Sequence, residues 1–442
     1  MNYSTSKTVL AAATALAAFA WQAPAHAQTT LTIGTVNNSD MVRMQGLSSE
    51  FEAAHPDIKL DWVTLEENIL RQRVTTDIAT NGGQFDVMTI GTYEVPIWAK
   101  QDWLKPLDGL GDDYDADDLI PAIRNALSVD GTLYAAPFYA ESVLTLYRTD
   151  LFEKAGLEMP EQPTWDFIAE AAEKITDQDA GVYGLCLRGK PGWGENMGFL
   201  GNMARSFGAN YFDADWQPQF EGEGWTKAIT LYVDLMNKYG PPGAASNGFN
   251  ENLSLFGQGK CGMWMDASVA ASFVTDPKQS QVPDQVGFAP APCGIENCPN
   301  NGYNWLWAWS LAVPASSEKA EAAQTFIGWA TSKEYLALVA EKEGWANVPP
   351  GARQSLYDNP SYQEVPFADM TLKSILSADP LNPTVDPVPY VGVQFVAIPE
   401  FAGFATEVGQ EFSAALAGQQ TAEEALEKAQ ALTTDAMEAA GY

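Results

Sequence analysis

The chain has 442 residues, of which 46% are hydrophobic, and its formal net charge at neutral pH is −33. This length suffices for two or three domains, and the 14 tryptophans help to fill a large core. The acidic excess argues against nucleic acid and against anionic membranes as partners, because both are bound through basic surfaces.

The first residues have the pattern of an export signal. Lys7 supplies a positive charge, residues 9–21 form an Ala-rich apolar run, and Ala25-His26-Ala27 is a small-x-small cleavage motif. The run is shorter than the ~20 apolar residues that span a bilayer, so a membrane anchor is the weaker alternative. We therefore expect residues 1–27 to be a signal peptide cleaved after Ala27, and the mature protein to reside in the periplasm without inserting into the membrane.

The next part of the chain alternates between two hydrophobic periodicities. Strands are predicted at 31–36, 58–62 and 85–90, and helices at 41–54 and 68–80. This alternation is typical of an α/β fold with a parallel, helix-flanked sheet. Ligands bind beyond the carboxyl ends of such strands, which are here Asn37-Asn38, residues 65–67 and residues 91–94.

The rest of the chain is richer in helical patterns. Helices are predicted at 163–175 and 226–239, and residues 318–343 form an Ala-rich helical region after an apolar strand at 303–314. Near the end, Gly418 closes one helix, and Thr421 and Glu424 form a capping box that opens the last.

Four cysteines in an exported protein suggest two disulfides. Cys293 and Cys298 flank a loop of four residues, while Cys186 and Cys261 each lie in a strand-like run and would join neighbouring strands. Four buried thiols are the alternative that the sequence leaves open.

Histidine restricts the chemistry. His26 leaves with the signal, so His55 is the only histidine of the mature chain, and it lies at a predicted helix exit. A Ser-His-Asp triad, a His-rich zinc site or a histidine general base would all depend on this one residue. We expect no metal, no cofactor and no enzymatic activity. A carboxylate-pair glycoside hydrolase stays as the remote alternative, since 57 acidic residues could supply such a pair.

Several sequence blocks resemble a known family. Tyr-Arg-Thr-Asp-Leu-Phe at 147–152, Pro-Thr-Trp-Asp at 163–166, and Phe326, Trp329 and Ser332-Lys-Glu334 are similar to the extracellular solute-binding proteins of ABC importers, of the maltose-binding type. The resemblance covers essentially the whole mature chain. It implies a two-lobed periplasmic binding protein whose lobes are helix-flanked, mostly parallel sheets joined by hinge crossings. The implied lobes are 28–138 with 310–360, and 139–309 with 361–442.

Four further blocks, at 186–196, 263–268, 305–311 and 389–401, look most like the sorbitol/mannitol branch of that family. The implied function is the capture of a linear polyol between the lobes and its delivery to the membrane subunits of an ABC permease, by a monomer. The alternative within this class is a receptor for a cyclic mono- or oligosaccharide.

A hexitol carries a hydroxyl on every carbon, so its site needs charged or amide groups for the hydroxyls and flat aromatic surface for the C–H edge. Asp266 ends an apolar strand, and Glu141 lies at the position where the resemblance implies a sugar-contacting acid. The predicted ligand-binding residues are Asn37, Asn38, Tyr93, Glu94, Tyr139, Glu141, Arg188, Trp193, Asp266, Trp305, Trp307 and Gln394.

Structural roles compete with this interpretation. Asn37 and Asn38 could cap the following helix, and Asp266 could be a helix cap. The alternating tryptophans 305, 307 and 309 share one face of a strand and could belong to the core. The loop from Arg188 to Glu195 could be a surface turn, although the phosphate-binding pattern G-x-x-x-x-G-K-[ST] is absent from it.

Overall fold

The computed structural model describes residues 1, 28–111, 113–295, 304–384 and 387–442. The predicted signal cleavage at Ala27 and the predicted Cys293–Cys298 pairing involve residues outside these ranges. Among the described residues, no helix is long and apolar enough to cross a bilayer.

The described strands are β1 Thr29–Val36, β2 Ile58–Leu65, β3 Val87–Ile90, β4 Ser128–Val129, β5 Thr132–Leu133, β6 Ala135–Glu141, β7 Val143–Arg148, β8 Tyr183–Cys186, β9 Cys261–Ala267, β10 Val286–Ala289 and β11 Trp307–Ala312. The helices of the first half are α1 Ser39–Gly46, α2 Ser48–Ala54, α3 Glu67–Ala79, α4 Glu94–Ala99, α5 Pro121–Ala126, α6 Thr149–Ala155, α7 Trp165–Ile175, α8 Asn196–Ser206 and α9 Glu223–Tyr239. The later helices are α10 Phe249–Gly257, α11 Ala270–Val274, α12 Ala320–Ala330, α13 Lys333–Glu343, α14 Gln354–Tyr357, α15 Pro360–Gln363, α16 Ala368–Ser377, α17 Phe401–Leu416 and α18 Ala422–Ala440.

Two sheets form the cores of two lobes. The first sheet has the order β2-β1-β3-β11-β6 and the second the order β10-β7-β9-β8. Helices α3 and α12 contact the first sheet, and α7, α9 and α10 contact the second. The predicted α/β architecture of helix-flanked sheets is confirmed. Each sheet is mixed, however, because β11 runs against its neighbours in the first sheet and β7 runs against its neighbours in the second.

At its first passage between the two sheets, from β6 to β7, the chain crosses through a single residue. Strand β6 pairs with β11 in the first sheet, and β7, which begins after Ser142, pairs with β9 in the second. Ser142 is held at this crossing because its carbonyl oxygen accepts from the backbone N–H of Ser268 at 2.7 Å. The predicted lobe boundaries at 138/139 and 309/310 fall within β6 and β11, and they stay a prediction.

Two predicted helices are each divided. The predicted helix 41–54 is α1 and α2, which meet at Leu47, and the region 318–343 is α12 and α13. Ser332 begins α13 as its N-cap, with its hydroxyl accepting from the backbone N–H of Tyr335 at 3.0 Å. An apolar periodicity can continue through such a break, so it does not reveal the cap. The predicted capping box of Thr421 and Glu424 is confirmed at the start of α18.

The predicted Cys186–Cys261 disulfide is confirmed, with a Cα–Cα distance of 5.9 Å. It joins the end of β8 to the start of the parallel neighbour β9. Arg188 lies two residues beyond the end of β8, and Asp266 lies near the end of β9. The disulfide therefore fixes the relative position of two strands that carry these charged residues.

The double variant Cys186→Ala/Cys261→Ala should unfold with a free energy lower by about 2–4 kcal/mol, because the bond closes a loop in the unfolded chain. Denaturant titration of ligand-free protein measures the loss. Each single variant should lose about as much as the double variant, since either substitution removes the whole bond. A double variant as stable as the wild type would contradict this expectation.

Candidate functional site

A cavity lies between the two lobes, where α3 and the ends of β6 and β11 face β9, α8 and α10. Its lining consists of Asn38, Glu67, Arg71, Glu141, Arg188, Trp193, Gly194, Gly198, Phe199, Phe249, Ala267, Val269, Trp305, Trp307, Trp309 and Gln394. Charged groups and aromatic rings thus converge on one space between the lobes, and this combination is typical of a small-molecule site.

Arg188 is the charged group that the second lobe contributes. Its Nη2 and Nε donate to Asp266 Oδ1 and Oδ2 at 2.6 and 2.9 Å. Asp266 is fully buried and also accepts from Trp264 Nε1 at 3.0 Å and from the backbone N–H of Ala267 at 2.7 Å. With its oxygens occupied in this way, Asp266 orients the guanidinium of Arg188, and Arg188 faces the cavity.

Arg71 is the corresponding group of the first lobe. It lies one helical turn after Glu67 on α3, and its Nη2 donates to Glu67 Oε1 at 2.8 Å. Its Nη1 donates to Glu94 Oε1 at 2.7 Å. The guanidinium carbon also lies 3.9 Å from the ring centre of Trp193 and 4.7 Å from that of Trp309. Carboxylates and aromatic rings therefore fix this cation from several sides.

Glu141, the last residue of β6, is 6% exposed and lines the cavity. Among the described residues, none donates a hydrogen bond to its carboxyl group. Burial raises the pKa of Glu141 well above its usual value, and the nearby Asp266 and Glu67 carboxylates add to the effect, while Arg188 opposes it. A carboxyl group that favours its protonated form can both donate to and accept from a hydroxyl.

Three tryptophans form one wall of the cavity. Trp307 and Trp309 alternate along β11, and Trp305 lies just before that strand. The indole N–H of Trp305 is buried and has no acceptor among the described residues, so it is available to a ligand. Gln394 completes the wall, but its amide already pairs with the backbone of Leu306, with Nε2 donating to the carbonyl oxygen at 3.0 Å.

The same wall has an apolar cavity on its other side. Leu306 and Phe395, the neighbours of Trp305, Trp307 and Gln394, line this second space together with α4, residues 378–381 and residues from the segment 389–399. In the part of the chain that the structure describes, Lys100 and Asp379 are the charged residues in its lining. It therefore offers few groups to a polyhydroxylated ligand, and the cavity between the lobes is the better candidate.

Seven of the twelve predicted site residues line the cavity, namely Asn38, Glu141, Arg188, Trp193, Trp305, Trp307 and Gln394. The other five do not line it. Glu94 and Asp266 hold the two guanidinium groups, and the Tyr139 hydroxyl accepts from Asn38 Nδ2 at 3.0 Å. The Tyr93 hydroxyl donates to the carbonyl oxygen of Ile398 at 3.0 Å. Asn37 is exposed, and its Oδ1 accepts from Asn250 at 3.2 Å.

Sequence reasoning missed Glu67, Arg71, Trp309 and the aromatic residues Phe199 and Phe249. A signal for the first two was present. Glu67 belongs to the predicted strand edge 65–67, and Arg71 lies four residues later on the helix face that also buries Leu70 and Val74. Charged residues at core-facing positions of an amphipathic helix indicate a buried polar site.

Comparisons with known proteins identify the family of this chain. Residues 37–337 match the family described as bacterial extracellular solute-binding protein. A mannitol-binding protein of Pseudomonas aeruginosa is 57% identical over 413 residues, which cover 93% of this chain and 94% of that protein. The predicted resemblance is thus confirmed, and this is a family of binding proteins and not of enzymes.

Solved structures are similar over the same extent. An ABC transporter solute-binding protein from Agrobacterium vitis with bound D-mannitol is 66% identical, with a TM-score of 0.92, and the match covers 94% of this chain and 99% of that one. A solute-binding protein from Agrobacterium radiobacter in complex with ribitol shares the fold at 24% identity and a TM-score of 0.81, over 92% of this chain and 98% of its own.

Asp266→Asn should destabilise the ligand-free protein, because Asp266 is buried against Arg188 and does not line the cavity. The substitution removes the shorter of the two ion pairs of the buried Arg188 guanidinium and leaves it with Glu195 at 3.5 Å, and breaking a buried pair costs about 3–5 kcal/mol. Denaturant unfolding measures the change. Asp369→Asn, which removes an exposed partner of Lys373, is the matched control and should cost less than about 1 kcal/mol. Equal stabilities of the two variants would refute the structural role of Asp266.

Proposed function

The chain belongs to the bacterial extracellular solute-binding proteins, and we propose that it is the periplasmic receptor of an ABC importer that captures an acyclic polyol, with D-mannitol as the first candidate. The observation that carries this proposal is the cavity between the lobes, where two fixed guanidinium groups, a buried carboxyl group to which no described residue donates a hydrogen bond, and three tryptophans converge. The 57% identity to a mannitol-binding protein supports the choice of ligand.

The chemistry of the lining fits a polyol. The Nε and Nη2 donors of Arg71 and Arg188 are engaged by Glu67 and Asp266, and each guanidinium group keeps further N–H donors on its terminal nitrogen atoms for hydroxyls. Glu141 can accept from or donate to another hydroxyl. The faces of the tryptophans provide apolar surface for the C–H edge of an extended carbon chain. The cavity thus offers a partner for each kind of group on a hexitol.

Capture requires no chemical change in the ligand. Glu141, Trp307 and Trp309 lie on strands of the first sheet and Arg71 on the adjoining helix α3, whereas Arg188 and Trp193 follow β8 of the second sheet and Phe249 begins the adjoining helix α10. A ligand that contacts both sides stabilises the closed arrangement of the lobes in proportion to its preference for that arrangement. The closed, loaded receptor would then deliver the polyol to the membrane subunits of the permease, and we propose that it does so as a monomer.

D-Mannitol and sorbitol should raise the melting temperature by several degrees, whereas glucose and maltose should change it little. A ligand that binds only the native state adds about 4 kcal/mol of stability at a thousandfold excess over Kd. Each kcal/mol shifts the midpoint of a protein of this size by roughly 2 °C. A thermal scan over a panel of sugars and polyols is the measurement. A shift with cyclic sugars alone would refute the polyol assignment, and no shift with any carbohydrate would refute the receptor.

Glu141→Ala should weaken D-mannitol binding by roughly ten- to a hundredfold, since hydrogen bonds to charged or strongly polar groups contribute about 1.5–3 kcal/mol. Glu141→Gln should keep more of the affinity, because an amide also both donates and accepts. Titration calorimetry measures both, with Glu170→Ala on the exposed surface of α7 as the control. An unchanged affinity of Glu141→Ala would remove Glu141 from the ligand contacts.

A further inference from the structure

The loop between β8 and α8 contacts both lobes. Its residues 189–195, here named the closing loop, are tied to the second lobe by three kinds of contact. The backbone N–H groups of Gly189 and Lys190 donate to the carbonyl oxygen of Asn247 at 2.8 and 3.0 Å. Asn196 Oδ1 accepts from the backbone N–H of Gly192 at 3.2 Å, and Arg188 Nη1 donates to the carbonyl oxygen of Gly194 at 3.0 Å. The loop should therefore move with the second lobe.

The other side of the closing loop lies against the start of α3 in the first lobe. Asn68 Nδ2 donates to the carbonyl oxygen of Pro191 at 3.0 Å, and the Lys190 ammonium pairs with Glu66 Oε1. The second oxygen of Glu66 caps α3, accepting from the backbone N–H of Asn68 at 3.1 Å. One carboxylate thus begins the helix and also receives a cation from the opposite lobe.

Two glycines allow this close approach. A Cβ at Gly194 would lie 2.3 Å from Glu67 Oε1 and 2.9 Å from Arg71 Nε. A Cβ at Gly192, whose φ is +154°, would lie 2.5 Å from Asn68 Oδ1. Any side chain at either position would meet the first lobe before the present separation is reached.

We propose that Lys190, Glu66 and Asn68 set the affinity for the ligand without touching it, by stabilising the closed arrangement through the closing loop. None of these three residues belongs to the described cavity lining. The proposal rests on the proposed function, because it requires that binding be coupled to closure. If only closed protein binds tightly, the apparent affinity is proportional to the closed fraction, and any contact between the lobes raises it.

Lys190 also pairs with Glu195 at 3.4 Å, and Glu195 lies 3.5 Å from Arg188, so the contact with Glu66 is separated from the ligand contacts by its response to salt and by the Glu66 variant. A polyol is uncharged, and the pairs of Arg71 and Arg188 lie within single lobes and are buried, so salt screens them little. The Lys190 and Glu66 side chains are 23% and 34% exposed, so salt should screen their attraction. A second ion pair between the lobes, Lys278–Glu343 at 2.9 Å, is exposed and contributes separately. Polyol affinity should therefore fall with salt, and part of that fall belongs to Lys190.

Titration calorimetry with D-mannitol, from about 20 to 500 mM NaCl, tests the proposal on Lys190→Met, Glu66→Gln, their double variant and Asn68→Ala. At low salt each single variant should lose about three- to tenfold in affinity, and the double variant should lose no more than the worse single one. Lys190→Met should also have a smaller salt dependence than the wild type. Lys174→Met removes a similar exposed pair with Glu170 inside α7 and should leave both quantities unchanged.

Wild-type affinity and salt dependence in Lys190→Met and Asn68→Ala would overturn the proposal while leaving the receptor function intact. Small-angle scattering of ligand-free protein tests, without any polyol, whether the closing loop stabilises the closed arrangement. The combined variant Lys190→Met/Asn68→Ala should have a larger radius of gyration than the wild type at low salt, and an unchanged radius would overturn the role of the closing loop. A wild type that binds no polyol, with this difference in radius present, would refute the proposed function alone.

Discussion

The pairing of buried guanidinium groups is the constraint on which the site depends. The side chains of Arg71 and Arg188 are 9% and 8% exposed, and an unpaired charge at such depth is costly. Each lobe meets this cost with its own carboxylates, Glu67 and Glu94 for Arg71 and Asp266 for Arg188. The donors are thus positioned before a ligand arrives, so binding need not order them, and this lowers its entropic cost. The same residues that stabilise each lobe also prepare it to bind hydroxyls.

The tryptophan wall likewise serves both the packing of the fold and the ligand site. Strand β11 lies between β3 and β6, and its side chains alternate between the two faces of the sheet. Trp307, its first residue, lines the cavity between the lobes, whereas Leu306, just before the strand, lines the apolar cavity. The close fit extends to the neighbouring strand end, because a Cβ at Gly91 would lie within 2.0 Å of the Trp307 ring. Core packing and ligand surface are therefore properties of one strand. The alternative role of these residues as core tryptophans is therefore compatible with a role in the site, since all three are buried and all three line the cavity.

Much of this arrangement could be predicted from sequence where the signal is local. The parallel pattern predicts that the carboxyl ends of the first strands share one edge of the sheet. Asn38 and Glu67 line the cavity at that edge, and Glu94 is joined to them by its ion pair with Arg71. The Cys186–Cys261 pair followed from strand-like runs in an exported chain. The lobe crossings came from family resemblance, since periodicity alone indicates only an α/β fold. The orientation of Asp266 toward Arg188 could not be predicted, because it depends on the register of β9 against β8. Arg71 could have been predicted, since it shares a helix face with the buried apolar residues Leu70 and Val74.

If the protein is a polyol receptor, the polyol must occupy the cavity between the lobes and contact both. A crystal structure of the protein grown with D-mannitol would show whether it does. We expect the polyol between Arg71 and Arg188, with a hydroxyl within hydrogen-bond distance of Glu141 and its carbon chain against the wall formed by Trp305, Trp307 and Trp309. D-Mannitol found instead in the apolar cavity behind Leu306, or contacting residues of one lobe alone, would contradict this expectation.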